Sequence, residues 1–174
     1  MSARADGGRP ELVVVCGLPG VGKTTVAETI RERVDGDPDL LRTDIVRGDV
    51  VDDPDYTEAE LRRVYDELFS RAATRLARGE SVVVDGTFKR AMHRERARDL
   101  AADHDARFRL VRVECDEDVV RERIAARTDD ASDADFDVYK LYKEEFEPIE
   151  DSCTVIDNSG STAQTRERVI DALY

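Results

Sequence analysis

Read for apolar and polar positions alone, the chain alternates short apolar runs with longer stretches in which apolar residues recur every three or four places. Five runs predict strands: "ELVVVC" (Glu11–Cys16), "DLLRT" (Asp39–Thr43), "SVVVD" (Ser81–Asp85), "RFRLVRVEC" (Arg107–Cys115) and "CTVID" (Cys153–Asp157). The most apolar of these are nearly continuous, the mark of strands buried on both faces. Between them, Lys23–Val34 gathers Val26, Ala27, Ile30 and Val34 on one helical face, and Thr57–Arg78 does the same with Leu61, Val64, Leu68, Ala72 and Leu76. Thr57 and Glu60 form a capping-box sequence at the start of the second helix, and Gly79 follows its end. Further helices are predicted over Arg90–Asp103, Glu117–Arg127, Asp133–Glu147 and Thr162–Leu173; the third of these starts near Ser132 and stops before Pro148. Strand and helix thus alternate throughout, which predicts an α/β fold with a mainly parallel, doubly wound sheet. A chain of 174 residues suits one such domain, expected over 11–174 behind a flexible N-terminal tail of residues 1–10.

Charge narrows the partners. Twenty-seven basic residues against forty acidic ones give a net charge of −13, which disfavours broad electrostatic attraction to nucleic acid or an anionic membrane. A phosphate site must then be local. The aspartate clusters "DGDPD", "DDPD" and "DDASDAD", with arginine far outnumbering lysine, suggest a salt-adapted, halophilic protein. At molar salt the Debye length shrinks to about 3 Å and self-repulsion of an acidic surface is muted. An acidic mesophilic protein with arginine-rich usage is the alternative. No run approaches the roughly 20 apolar residues of a membrane span, and "MSARADGGRP" lacks a signal-peptide core, so a cytoplasmic protein is expected. Cys16, Cys115 and Cys153 are far apart at the edges of apolar runs, which suits buried small side chains rather than a metal or redox pair. His93 and His104 have no cysteine partner at metal spacing and read as surface residues.

The residues with the clearest chemistry lie in "GLPGVGKTT", between the first strand and the first helix. Gly17, Gly22, Lys23 and Thr24 satisfy the G-x-x-x-x-G-K-[ST] pattern of a phosphate-binding loop. The glycines let backbone N–H groups converge on phosphate at a helix N-terminus, and Gly20 permits close approach within the loop. Lys23 is expected to place a charge on the β and γ phosphates, Thr24 an oxygen on Mg²⁺, and Thr25 a further phosphate hydrogen bond. The sequence has neither N-K-x-D, with which a GTPase reads guanine, nor the L-S-G-G-Q of transporter ATPases, and it is short for a ring-forming motor. Those exclusions leave the small kinases.

Together with "LLRTDIVRGDV", "SVVVDGTFKRAMHRERARDLA", "RERIAARTDDASDADF" and "VIDNSG", this loop resembles the small P-loop kinases related to polynucleotide 5′-hydroxyl kinases, zeta-toxin and gluconate or adenylate kinases, over most of residues 11 to 160. The resemblance implies the P-loop NTPase three-layer α/β/α fold, a five-stranded sheet in the order 2-3-1-4-5, and a small lid over about 121–137. It implies that Asp44 accepts the proton of an acceptor hydroxyl and that Arg47, three residues on, binds an acceptor anion or the moving phosphoryl group. A helix-capping aspartate with a solvated arginine is the plainer reading of the pair. Asp85, at the end of "SVVVD", matches the carboxylate that orients Mg²⁺ beside the loop threonine. Gly86 and Thr87 would line the acceptor cleft, and Lys89, Arg90 and Arg94 are acceptor contacts or a solvated helix start. Arg123 and Arg127 share a helix face, and the resemblance makes them lid arginines that close on phosphate; an ordinary charged face explains them too. Asn158, within "DNSG", would help wrap adenine, or belong to a turn before a helix. Phe136, Tyr139, Tyr142 and Phe146 read as core before acceptor contacts. The expected activity is therefore an ATP- and Mg²⁺-dependent phosphotransferase acting on a hydroxyl of a small molecule or nucleotide. Two others stay open: an ATPase or regulatory module without an acceptor, and a 5′-hydroxyl nucleic-acid kinase.

Overall fold

Strands β1 (Glu11–Cys16), β2 (Asp39–Arg42), β3 (Val82–Asp85), β4 (Arg107–Glu114) and β5 (Thr154–Asp157) make one sheet in the order β2-β3-β1-β4-β5, with every neighbouring pair parallel. The computed structural model describes residues 8–127 and 132–174. The sheet order is the one implied by the kinase resemblance. Each parallel step requires a crossover, supplied by α1 (Lys23–Arg33), α2 (Thr43–Val50), α3 (Glu58–Ala77), α4 (Ala91–Asp103), α5 (Glu117–Arg127) and α6 (Ser132–Glu145), while α7 (Thr162–Leu173) follows the last strand.

The period-2 geometry of a strand splits the core in two. Leu12, Val14, Cys16, Val82 and Val84 face one layer, where they pack with Val46, Val64, Leu68, Ala72, Ala97 and Ala101 from α2, α3 and α4. Val13, Val15, Val83, Val111 and Val113 face the other and meet Val26, Ile30, Val120, Ile124 and Val169 from α1, α5 and α7. Both layers are buried and apolar, which is why the central strands read as unbroken apolar runs. Phe136 and Tyr139 of α6 are buried in the second layer, as expected for core aromatics.

Three expectations need correction. The second strand stops at Arg42, and "TDIVRGDV" is a short helix, α2, whose single buried residue Val46 is too little apolar signal to show in a periodicity search. Thr57 caps α3 by accepting from Glu60 N, but the Glu60 carboxylate does not complete the box; it accepts instead from the backbone N–H groups of Asp55 and Tyr56. Arg94 is no solvated helix-start residue. It is buried, and donates to the carbonyls of Phe88 at 2.7 Å and of Glu147 and Pro148 at 2.9 Å. This guanidinium ties the loop after β3 to the chain leaving α6. Arg94→Ala would leave three inward carbonyls without donors, a loss of about 3 kcal/mol. The expected fall in thermal midpoint is about 10 °C. A fall of only a degree or two, measured by circular dichroism, would show that the clamp is not structural.

The expected lid overlaps residues 128–131, which lie outside the described residues, as do residues 1–7 of the expected tail. No helix among the described residues is long and apolar enough to cross a membrane.

Candidate active site

The loop between β1 and α1 begins the site. Gly22 caps α1 in the left-handed region at φ 84°, and a Cβ there would strike the Asn158 side-chain amide. A Cβ on Gly17 would lie 2.6 Å from the Val113 carbonyl oxygen. Glycine is therefore imposed at both positions by space, and at Gly22 by backbone angle too. The first turn of α1 then presents Lys23, Thr24 and Thr25 at a helix N-terminus, where unpaired N–H groups favour an anion. Gly20, the third glycine of the loop, lines the adjoining cleft.

Sheet register brings the next groups to this end. Arg42 of β2 and Val15 of β1 are both direct partners of Asp85 on β3, so the ends of three neighbouring strands meet beside α1. Asp85 is buried, and its Oδ2 accepts from Thr24 Oγ1 at 3.0 Å. Arg42 Nε lies 3.6 Å from the same oxygen and has no hydrogen-bond partner. Burial raises the Asp85 pKa against the opposing pull of Lys23, the Thr24 hydrogen bond and Arg42. Burial likewise lowers the Lys23 pKa, with Asp85 and Asp44 opposing it, and its Nζ donates to Leu18 O at 3.0 Å. Lys23, Asp85 and Asp44 are thus close enough to feel one another's charge.

A cleft of about 370 Å³ runs from this loop to α2 and α6. Lys23, Thr24 and Asp85 line one end, with Arg42, Asp44 and Arg127 also on its wall; Arg47, Gly86, Thr87 and Lys89 line it too. Asp44, expected at a strand end, sits in the first turn of α2 and is solvent-exposed. Arg47 is paired at 2.5 Å with buried Glu60, and Lys89 with Glu145. Arg90 turns outward to Glu58.

Two expected residues stand elsewhere. Arg123 is not on the cleft wall; it donates to Cys115 Sγ at 3.4 Å and Gly160 O at 3.2 Å, behind the phosphate loop. Asn158 is buried, donates to Val21 O at 2.8 Å, and accepts from Thr165. Its amide braces the loop from β5, so it is engaged within the protein rather than turned toward an adenine. The three cysteines are free; Cys16 is buried, which pushes its thiol up to about 12.

Arg42 was not singled out in the sequence, and its pairing with Asp85 follows from the β2–β3 register; Glu60, read as a capping residue, is placed on Arg47 only by the fold. His93 is the larger surprise. It is buried and on the cleft wall, not on the surface, with its ring stacked on Tyr65 at 3.8 Å between centroids. Its Nδ1 has no partner. Burial, helped by Arg96, lowers its pKa to about 4. Unfolded, the imidazole titrates near 6.5, so between that value and about 4 only the unfolded chain binds the proton. The stability tied to neutral His93 is complete above about pH 6.5 and falls as pH drops toward about 4. Urea unfolding at pH 7 and pH 4.5 should show a larger acid loss in the parent than in His93→Gln. Equal losses would place the titration elsewhere.

A family profile described as an AAA domain (AAA_33) matches residues 12–149. The protein belongs to the AAA_33 family. Uncharacterized proteins of Mycobacterium tuberculosis and Mycobacterium bovis are 35% identical to this AAA_33 chain over 135 residues, covering 71% of it but only 27% of their own length. The chain therefore spans about a quarter of the curated relatives it matches. Solved structures share the fold. A gluconokinase from Sinorhizobium meliloti superposes with a TM-score of 0.72 at 22% identity, covering 95% of this chain and 92% of its own. The Mycobacterium tuberculosis APS kinase in complex with AMPPNP and APS gives 0.68 at 21%, covering 95% and 98%. A putative kinase from Chloroflexus aurantiacus gives 0.68 at 22%, covering 95% and 96%.

Proposed function

We propose that this AAA_33 protein is an ATP-dependent kinase that transfers the γ-phosphoryl group to a hydroxyl. The observation that carries the reading is one continuous cleft with the phosphate loop at one end and an exposed carboxylate, Asp44, on its wall. Phosphoryl transfer needs positioning and charge stabilisation more than covalent help, and this cleft offers both.

Thr24 and Asp85 fit Mg²⁺. They are two adjacent oxygen donors, and the described residues contain no cluster of three His, Cys, Asp or Glu that would cage a metal by itself. Mg²⁺ commonly keeps waters and substrate phosphates and takes only one or two protein oxygens. When bound, it would neutralise charge on the β and γ oxygens.

The loop N–H groups and Lys23 hold the same phosphates, and Lys23 exchanges Leu18 O for a phosphate oxygen. Asp44 takes the proton as the acceptor oxygen bonds to the γ phosphorus and the bond to the ADP oxygen breaks. Arg127, on the cleft wall and within the expected lid of about 121–137, adds charge to the equatorial oxygens as the lid closes. Arg123 supports the loop from behind, through Cys115 and Gly160. The fold is shared with the APS kinase in complex with AMPPNP and APS, which favours a nucleotide and a small acceptor over a lone nucleotide switch.

A coupled assay of ADP release tests this reading. With Mg²⁺ and ATP, a panel of sugars, nucleosides and amino alcohols should contain a member that raises the rate well above hydrolysis. A rate indifferent to every member would favour an ATPase without an acceptor.

A further inference from the structure

Two walls of the cleft repeat one arrangement. On one wall, buried Glu60 of α3 pairs with Arg47 of α2, whose guanidinium carbon lies 4.9 Å from the centre of the ring of Tyr56, in the turn before α3. On α6, Glu145 pairs with Lys89, whose Nζ lies 4.1 Å from the centre of the Tyr142 ring. Each cation is thus held between a carboxylate and a tyrosine face, and both tyrosines line the cleft.

This sorts the charges by position. Lys23, Arg42 and Arg127, beside Asp44 and Asp85, stand where the nucleotide phosphates would need them. Away from the loop, the cations on the described walls are matched by Glu60 and Glu145, and a paired cation has little attraction left for a second anion. The rest of the lining is uncharged: Tyr56, Leu61, Tyr65, His93, Val138 and Tyr142, with the hydroxyls of Thr43 and Thr87 nearer the loop. His93 is held neutral by burial.

We propose that the phosphoryl acceptor is an uncharged alcohol carrying a flat ring, bound between the Glu60–Arg47–Tyr56 and Glu145–Lys89–Tyr142 stacks, and not a compound already bearing phosphate or carboxylate. The two carboxylates mask the cations and fix the tyrosines as apolar walls, and Asp44 meets the hydroxyl at the loop end. The acceptor O–H bond breaks as its oxygen joins the γ phosphorus, the proton goes to Asp44, and ADP leaves. This inference rests on the kinase reading above.

The test compares nucleosides with their 3′-monophosphates, which share ring and 5′-hydroxyl and differ in charge. The 3′-monophosphate is also the smallest piece of a nucleic-acid 5′ end. Calorimetry on the full chain first measures binding of a non-hydrolysable ATP analogue with Mg²⁺, then titrates adenosine, uridine and their 3′-monophosphates into that complex. The expected result is a nucleoside that binds about tenfold more tightly than its 3′-monophosphate. In Glu145→Gln, which unmasks Lys89, that preference should shrink or reverse. Failure of the ATP analogue to bind would overturn the kinase reading itself. Normal analogue binding with tighter 3′-monophosphates, with no binding of either kind, or with an unchanged preference in Glu145→Gln would overturn this inference alone.

Discussion

Lys23→Ala is expected to lower phosphoryl transfer by on the order of a thousandfold while leaving the protein folded. Burial lowers the Lys23 pKa, and Asp85 and Asp44 oppose it by favouring the charged form. Removing that charge acts twice. The γ phosphate loses its one loop cation, and Asp85 loses the foremost influence opposing its burial, so its pKa rises further. A more readily protonated Asp85 binds Mg²⁺ less well, and the variant should need more Mg²⁺ for whatever activity remains. Calorimetry with a non-hydrolysable ATP analogue should show weaker binding and a thermal midpoint close to that of the parent. Parental turnover in Lys23→Ala would mean that the loop does not hold the transferring phosphate.

Asp44→Asn should separate the two halves of the cleft. Asp44 is exposed on α2, and nothing in the core depends on it, so stability and nucleotide affinity should stay near those of the parent. Transfer should fall by about a thousandfold, within the usual range for removal of a general base. Asparagine keeps the size and hydrogen-bonding reach of the carboxylate but accepts no proton at neutral pH. Loss of ATP binding instead would move Asp44 to the metal, beside Asp85. Unchanged transfer would leave the acceptor hydroxyl without a base in this cleft.

The fold was legible because its signals are local and redundant. A parallel strand buried on both faces, as β1 is from Leu12 to Cys16, must be apolar at successive positions, and the glycines at 17 and 22 answer to contacts with Val113 and Asn158 that admit no side chain. Helices α1 and α3 carry long apolar stripes. Helix α2 was missed because it is short and anchored by Val46 alone. Residues whose roles depend on distant partners were harder. Nothing near Arg94 in the sequence announces the carbonyls of Glu147 and Pro148, and nothing near Asn158 announces Val21. His93 sits among exposed charged residues of α4, and only the fold lays it against Tyr65. Arg47 was expected as a free anion contact, whereas Glu60, read from sequence as a capping residue, reaches across to neutralise it. The phosphate end of the cleft is a motif and could be read in line; the acceptor end is assembled from α2, α3, α4 and α6 and had to be seen in space.

The destination of the γ-phosphoryl group distinguishes transfer to an acceptor from hydrolysis. ³¹P NMR of the protein with Mg²⁺, ATP and the acceptor panel follows every phosphorus at once. In the parent the γ resonance of ATP should give way to a phosphomonoester resonance in step with ADP, and Asp44→Asn should not produce it. Conversion of ATP to ADP and inorganic phosphate alone, at the same rate in the parent and in Asp44→Asn, would rule out transfer to an acceptor.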